Sequence, residues 1–275
     1  MGRIPVRPVL VAATFAVAML SSSCGGSSGP AGPPSATVRP SPTPAAATER
    51  CSTEVSGFSD VRVATVALRT GDGVSLYGAE VGSGDRGVLL ANDVPHAFCE
   101  DLPPALLLAR RGYHVLVFDY RGHGESADAG GQPGRLDLDV AAAVADLRDR
   151  GATRVALLGS YAGAAACVVA AVRITPPVDA VVGFSPPVRR GQYVEGPFDP
   201  EGQLAAAPRL RMPTLYATAT TDRFVSLADV RRLYEATGAR RKDLVTVTEG
   251  PGGWYLLRYN GVVRRAVLRF LAANL

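Results

Sequence analysis

Three histidines, one tryptophan and a single lysine, Lys242, occur in 275 residues, and arginine supplies every other basic side chain. Three histidines and four cysteines without a CxxC pair exclude a zinc site of the usual ligand spacing. A Gly-rich phosphate loop and a dinucleotide fingerprint are both absent, so no metal and no cofactor is expected. Charge of one sign is scarce as well. From Cys51 onward 25 basic side chains face 24 acidic ones, a net of +1, because Arg3, Arg7, Arg39 and Arg50 precede that point against Glu49 alone. That balance excludes the electrostatic footprint of a nucleic-acid partner. Apolar runs long enough to cross a bilayer repeatedly are missing too. What remains is an ordinary globular composition, 47% hydrophobic and 20% charged, with apolar material for one sizeable core.

The first fifty residues read as processing and tether. Arg3 and Arg7 precede an apolar run from Val9 to Leu20, too short to span a membrane as a helix. Basic start, short apolar middle and small-residue end make residues 1–23 a secretory signal peptide. Cys24 follows directly and resembles the cysteine of a bacterial lipobox, with Ser21 where the usual leucine stands and Leu20 one place early. The resemblance implies lipidation at Cys24 and a place on the outer face of the cell membrane; plain secretion is the alternative. Residues 24–50 are rich in Gly, Ser, Pro, Thr and Ala, which cannot bury enough apolar surface to fold. They read as a flexible spacer that holds the domain of residues 51–275 off a surface.

With Cys24 lipidated, three cysteines are left and at least one is unpaired. Cys51 opens the folded region and Cys99 falls in a loop, so the expected disulfide joins them, outside the cytoplasm where such a bond persists. Cys167 lies in an apolar helical run and reads as a small core residue.

From residue 61 the chain alternates strand and helix. Strands are expected at Val61 to Leu68 and Val74 to Ala79, joined by the Gly71-Asp72-Gly73 turn. Further strands are expected at Val88 to Ala91, Val115 to Asp119, Val155 to Leu158, Ala180 to Phe184, Thr214 to Ala219 and Leu244 to Thr248. Helices fall between them: Pro103 to Arg111 closed by Gly112, Leu138 to Arg150 closed by Gly151, Ala162 to Val172, Leu227 to Thr237 and Val262 to Ala273. An antiparallel start followed by strand–helix units predicts an α/β protein: a mostly parallel central sheet with antiparallel N-terminal strands and helices on both faces. Sites in such sheets form outside the carboxyl ends of the strands.

Four segments after those strand ends carry a resemblance. Val115 to Ser126, with Asp119-Tyr120-Arg121-Gly122-His123-Gly124, looks like the strand and turn that precede the nucleophile in α/β-hydrolases. Leu157-Leu158-Gly159-Ser160-Tyr161-Ala162-Gly163 sits where the nucleophile elbow belongs, Pro213 to Asp222 resembles the strand that delivers the triad acid, and Gly250 to Trp254 resembles the loop that delivers the histidine. The likeness covers residues 61–275 in the right order, and the loop around Cys99 is most similar to the secreted or lipoprotein members. The connection from Phe184 to Pro213 is too short for a large cap domain, which implies a small lid or an open cleft.

The residues that carry the family chemistry depart from the pattern. In a G-x-S-x-G elbow the outer glycines leave room for a strained central residue. Gly159 and Gly163 are those glycines here, so Tyr161 holds the nucleophile position and Ser160 stands one place early. Gly252 stands where the family has histidine, and His123 is the last histidine in the chain. A serine needs an adjacent base to take its proton, and a phenol's ordinary pKa is about 10. Asp222 keeps the acid position but has no histidine to orient. The oxyanion loop, which family members begin with His-Gly, reads Asn92-Asp93. Asn92 and the Ala162 N–H can donate there, whereas Asp93 brings charge that opposes a developing oxyanion.

The bland readings stand beside these. His123 organises its loop, His96 is solvated beside Cys99, and His114 is structural at the far end of a strand. Asp222 caps the following segment or pairs with an arginine, Tyr161 plugs the old site, and Trp254 and Tyr255 pack under the last loop. The resemblance with its departures implies a lipid-anchored α/β-hydrolase-fold protein that lacks serine-hydrolase activity and binds an unknown small molecule or protein as a scaffold. The alternative is a carboxylic-ester hydrolase with displaced groups, Ser160 as nucleophile with His123 or His96 as base. A non-hydrolytic enzyme in the same fold is a third possibility.

Overall fold

The computed structural model describes residues 49–56, 59–94, 96–128, 131–189 and 200–275. The expected signal peptide, lipidated Cys24 and nearly all of the expected tether lie outside them. The last two tether residues, Glu49 and Arg50, are helical. Arg50 belongs to the domain: its guanidinium pairs with Glu125 at 2.5 Å and lies over the Tyr77 ring.

Eight strands form one sheet in the order β1-β2-β4-β3-β5-β6-β7-β8. They are β1 (Val63–Arg69), β2 (Ser75–Val81), β3 (Arg86–Ala91), β4 (His114–Phe118), β5 (Arg154–Ser160), β6 (Ala180–Phe184), β7 (Thr214–Ala219) and β8 (Lys242–Val247). β1 pairs antiparallel with β2, and β2 antiparallel with β4; from β4 to β8 every neighbouring pair is parallel. The helices are α1 (Ser52–Val55), α2 (Leu102–Ala109), α3 (Leu136–Asp149), α4 (Ala162–Ala171), α5 (Pro200–Ala206), α6 (Leu227–Ala236), α7 (Trp254–Tyr259) and α8 (Gly261–Asn274).

Strand alternation divides the core. Leu89, Leu116, Phe118, Val155 and Leu157 point to one face with α3, α4 and α6. Val88, Leu90, Val115, Val117, Ala156 and Leu158 point to the other with α2, α7 and α8. Burial on both faces is why the inner parallel strands β3 to β7 are largely apolar, whereas the edge strand β8 (Lys-Asp-Leu-Val-Thr-Val) is partly exposed and mixed. Helix ends follow local chemistry. Gly112 and Gly151 take φ of 81° and 102° just beyond α2 and α3, Ser226 Oγ accepts the Asp229 N–H at the start of α6, and Asn260 Oδ1 accepts two N–H groups at the start of α8.

A buried ion-pair network and a disulfide lock the loops. The Arg121 guanidinium is fully buried and makes paired bonds to Asp72 in the β1–β2 turn (2.8 and 3.0 Å) while binding Asp139 of α3 at 2.8 Å. Arg121 thereby holds the Asp72 carboxyl down at about 2. The second device is the Cys51–Cys99 disulfide, present as expected, with Cys167 buried and free. The bridge spans 48 residues, so in the chain-entropy account its removal costs about 4 kcal/mol. Thermal unfolding of Cys51→Ala/Cys99→Ala should show that loss, and an unchanged melting temperature would contradict it.

Candidate active site

β5 runs two residues further than its apolar signal, through Gly159 and Ser160, because it is paired on both sides by β3 and β6. The chain then turns at Tyr161 with φ 45° and ψ −111° and enters α4 at Ala162. A non-glycine residue in this region is strained by about 1–3 kcal/mol, and the neighbouring glycines are what space permits. A Cβ on Gly163 would lie 2.0 Å from the Ala91 carbonyl, and one on Gly159 2.5 Å from the Ala164 backbone. The Tyr161 N–H donates to the Phe184 carbonyl at the end of β6, which fixes the turn to the sheet.

The tyrosine hydroxyl donates to Asp222 Oδ2 at 3.2 Å, three residues beyond the end of β7. The other carboxylate oxygen accepts the Phe224 and Val225 N–H groups at 2.9 and 3.2 Å, so Asp222 also caps the segment that follows it. The loop from β8 to α7 completes the site. Gly252 lies outside the left-handed backbone region, yet a Cβ there would fall 1.7 Å from Asp222 Oδ2, 2.4 Å from Ser185 Oγ and 2.5 Å from the Tyr161 hydroxyl. The backbone at 252 would accept a side chain, but the Asp222, Ser185 and Tyr161 side chains would have to shift to admit one. The next residue, Gly253 (φ 60°), faces the Tyr161 ring and Ser160 Oγ in the same way and donates its N–H to Ser185 Oγ.

The residues of the oxyanion loop are buried beside this turn. Asn92 Oδ1 accepts both the Asp93 N–H (2.7 Å) and the Trp254 indole N–H (2.9 Å), while its Nδ2 has no hydrogen-bond partner among the described residues. Asp93 is 4% exposed. Beneath the loop Asp101 is fully buried. Burial raises its carboxyl well above the usual range, and the carboxylates of Glu100, Asp119 and Asp93 push it the same way.

Tyr161, Asp222, Gly252 and Ser160 are therefore brought to one place, with Asn92 tied to the same loop through Trp254. The histidines have other engagements. His123 Nδ1 bonds the Arg121 carbonyl at 3.0 Å, His96 lies 2.9 Å from Glu100, and buried His114 pairs with Glu80 at the opposite end of the sheet. Trp254 packs on Phe184 as expected, whereas Tyr255 does not pack under the loop: it is 55% exposed and stacks on Tyr259. Sequence reasoning missed Ser185, which is buried at φ 48° and whose hydroxyl binds the loop backbone. It also missed Phe224, which stands edge-on to the Tyr161 ring at 6.0 Å. Ser185 directly follows β6, a position the strand-end rule marks; nothing local signals Phe224.

A strained strand-to-helix turn at the carboxyl end of the central strand, with an acid after β7 and a glycine loop after β8 converging on it, decides the architecture. The chain has the α/β-hydrolase fold. A family model described as serine aminopeptidase, S33, matches residues 103–206, the stretch that holds the turn. An esterase of Pyrococcus furiosus superposes with a TM-score of 0.67 at 20% identity, over 82% of this chain and 95% of its own. A monoacylglycerol lipase of Paleococcus ferrophilus gives 0.60 at 18% identity, over 73% and 99%. A cold-adapted esterase from an Arctic intertidal metagenomic library gives 0.59 at 20% identity, over 79% and 95%. No curated protein sequence matches the chain.

Proposed function

We propose that this α/β-hydrolase-fold protein does not hydrolyse esters and serves as a binding or scaffold protein, held at the outer face of a membrane through lipidated Cys24. One observation carries the reading: the Tyr161 hydroxyl sits on Asp222 and, with that carboxylate, takes up the space a side chain at 252 would need. A hydrolytic triad uses its acid to orient a histidine that deprotonates a serine. Here the acid is satisfied by a phenol and two backbone N–H groups. The strained turn is retained because Tyr161 is buried, bonded and packed on Phe224, contacts that offset its conformational cost. The ligand is a small molecule or protein segment, and Phe224, 49% exposed and packed on Tyr161, gives it apolar surface to meet. The basic start, short apolar run and Cys24 of the sequence support the membrane anchor.

A fluorophosphonate probe tests the chemical half of the proposal, since it captures serines made nucleophilic by a neighbouring base. The reading predicts no covalent adduct by intact-mass measurement. An adduct mapped to Ser160 would contradict it and favour the displaced arrangement with His123 or His96.

A further inference from the structure

We propose that the groove between α3, α4 and α5 binds a fatty carboxylate, its chain on an apolar floor and its head among Arg135, Arg173 and Arg209. The groove encloses about 710 Å³, within the ~300–1,000 Å³ usual for small-molecule sites. Among the described residues its floor is built from Ala165 and Val169 on α4, Val172 just beyond it, and Ala205 on α5. These side chains offer no hydrogen-bonding group, so a methylene chain can leave water against them without stranding a polar atom. The rim is the opposite. Among the described residues Arg135, Arg173 and Arg209 line it with Asp137 as the one carboxylate, which leaves that part of the lining two charges positive.

Asp137 organises two of those arginines. Arg135 bonds it through Nε and a terminal nitrogen at 2.9 and 3.2 Å, and Arg173 bonds it from just beyond the end of α4. Burial pushes the Asp137 carboxyl up, but the two guanidiniums outweigh that and hold it below its ordinary value. Asp137 is thus ionised at neutral pH and fixes both forks in place. Arg209 stands across the groove, with one nitrogen 3.4 Å from the Val172 carbonyl. A guanidinium has five donors in a planar fork that matches a carboxylate. An apolar trough with a positive rim therefore selects an amphiphile with an anionic head over a neutral chain or a bare anion. The groove's lining does not include Tyr161, Asp222 or Gly252: it uses Ala165 to Val169 of α4 and then Val172 and Arg173 just beyond that helix. The inference holds whether or not esters are turned over at Tyr161.

Isothermal titration of the purified protein with sodium decanoate tests it, with acetate and decanol as controls for head and chain. Decanoate should bind about tenfold or more tightly than either control, as expected when a charge-assisted hydrogen bond and an apolar contact act together. Arg209→Glu and Val169→Trp, the second of which fills the trough, should each weaken decanoate about tenfold. Arg209→Ala replaces either variant if its melting temperature falls. Absence of decanoate binding would overturn the proposal, as would equal binding of decanol or unchanged affinity in the groove variants. Binding that survives those variants but is lost in Tyr161→Ala would place the ligand at the turn and overturn it equally.

Discussion

Replacing Arg121 with methionine is expected to lower the unfolding free energy by about 3–5 kcal/mol, the cost of leaving a buried charge without its partner. Arg121 and Asp139 have fully buried side chains, and Asp139 also accepts the Arg121 backbone N–H. Methionine keeps the packing volume and removes the donors, so the loss reports the ion pairs and not a cavity. The same substitution frees Asp72 in the β1–β2 turn, whose carboxyl Arg121 holds at about 2. An acid depressed in the folded state stabilises above its unfolded pKa of about 3.9 and loses that contribution as pH falls towards its folded value. The stability of the parent should therefore decline between about pH 5 and 2, with a shallower decline in Arg121→Met. Chemical denaturation across that range measures both effects. A loss below about 1 kcal/mol at neutral pH would mean that the network is no more than a surface pair.

The second large effect is expected at the turn. Tyr161→Ser removes a buried ring and should cost about 3 kcal/mol, at the lower end for aromatic truncation. Gly252→His alone should cost about as much, because its Cβ meets Asp222, Ser185 and the Tyr161 hydroxyl. The double variant should be better than the sum by about 1–3 kcal/mol, since the serine vacates the space the histidine enters and Asp222 regains a partner. Additive costs would show that Tyr161 and Gly252 do not share that space. Ester hydrolysis, slowed by the Asp93 charge at the oxyanion loop, is expected in the double variant alone, because neither single change supplies both nucleophile and base.

The sheet was legible where strands are buried on both faces, since β3, β4, β6 and β7 are near-continuous apolar runs bounded by glycine, proline or charge. Helices α2 and α3 were marked by their closing glycines. The contacts of Arg50 were not legible: it follows a low-complexity stretch, and its partners Glu125 and Tyr77 are distant in sequence. Helices α1, α5 and α7 were missed because four to seven residues are too few for a 3.6-residue period to register. The ends of β5 depend on pairing with β3 and β6, which propensity does not report.

At the site, the resemblance to α/β-hydrolases assigned Tyr161 through the glycine spacing of the turn, and Asp222 and Gly252 through the segments that carry them. Their relation was out of reach: the bond from Tyr161 to Asp222 joins residues 61 apart, and a glycine's missing side chain says nothing of what fills its place. That Tyr161 and Gly252 are two halves of one exchange of space emerges only once β5, β7 and β8 are assembled.

Turnover of short-chain p-nitrophenyl esters by the purified protein, beside Ser160→Ala, Tyr161→Phe and His123→Ala, tests the central claim most directly. The account predicts rates at the buffer blank in all four proteins. A parental rate above the blank that Ser160→Ala or His123→Ala abolishes would contradict it, and would place a working nucleophile one residue before the turn.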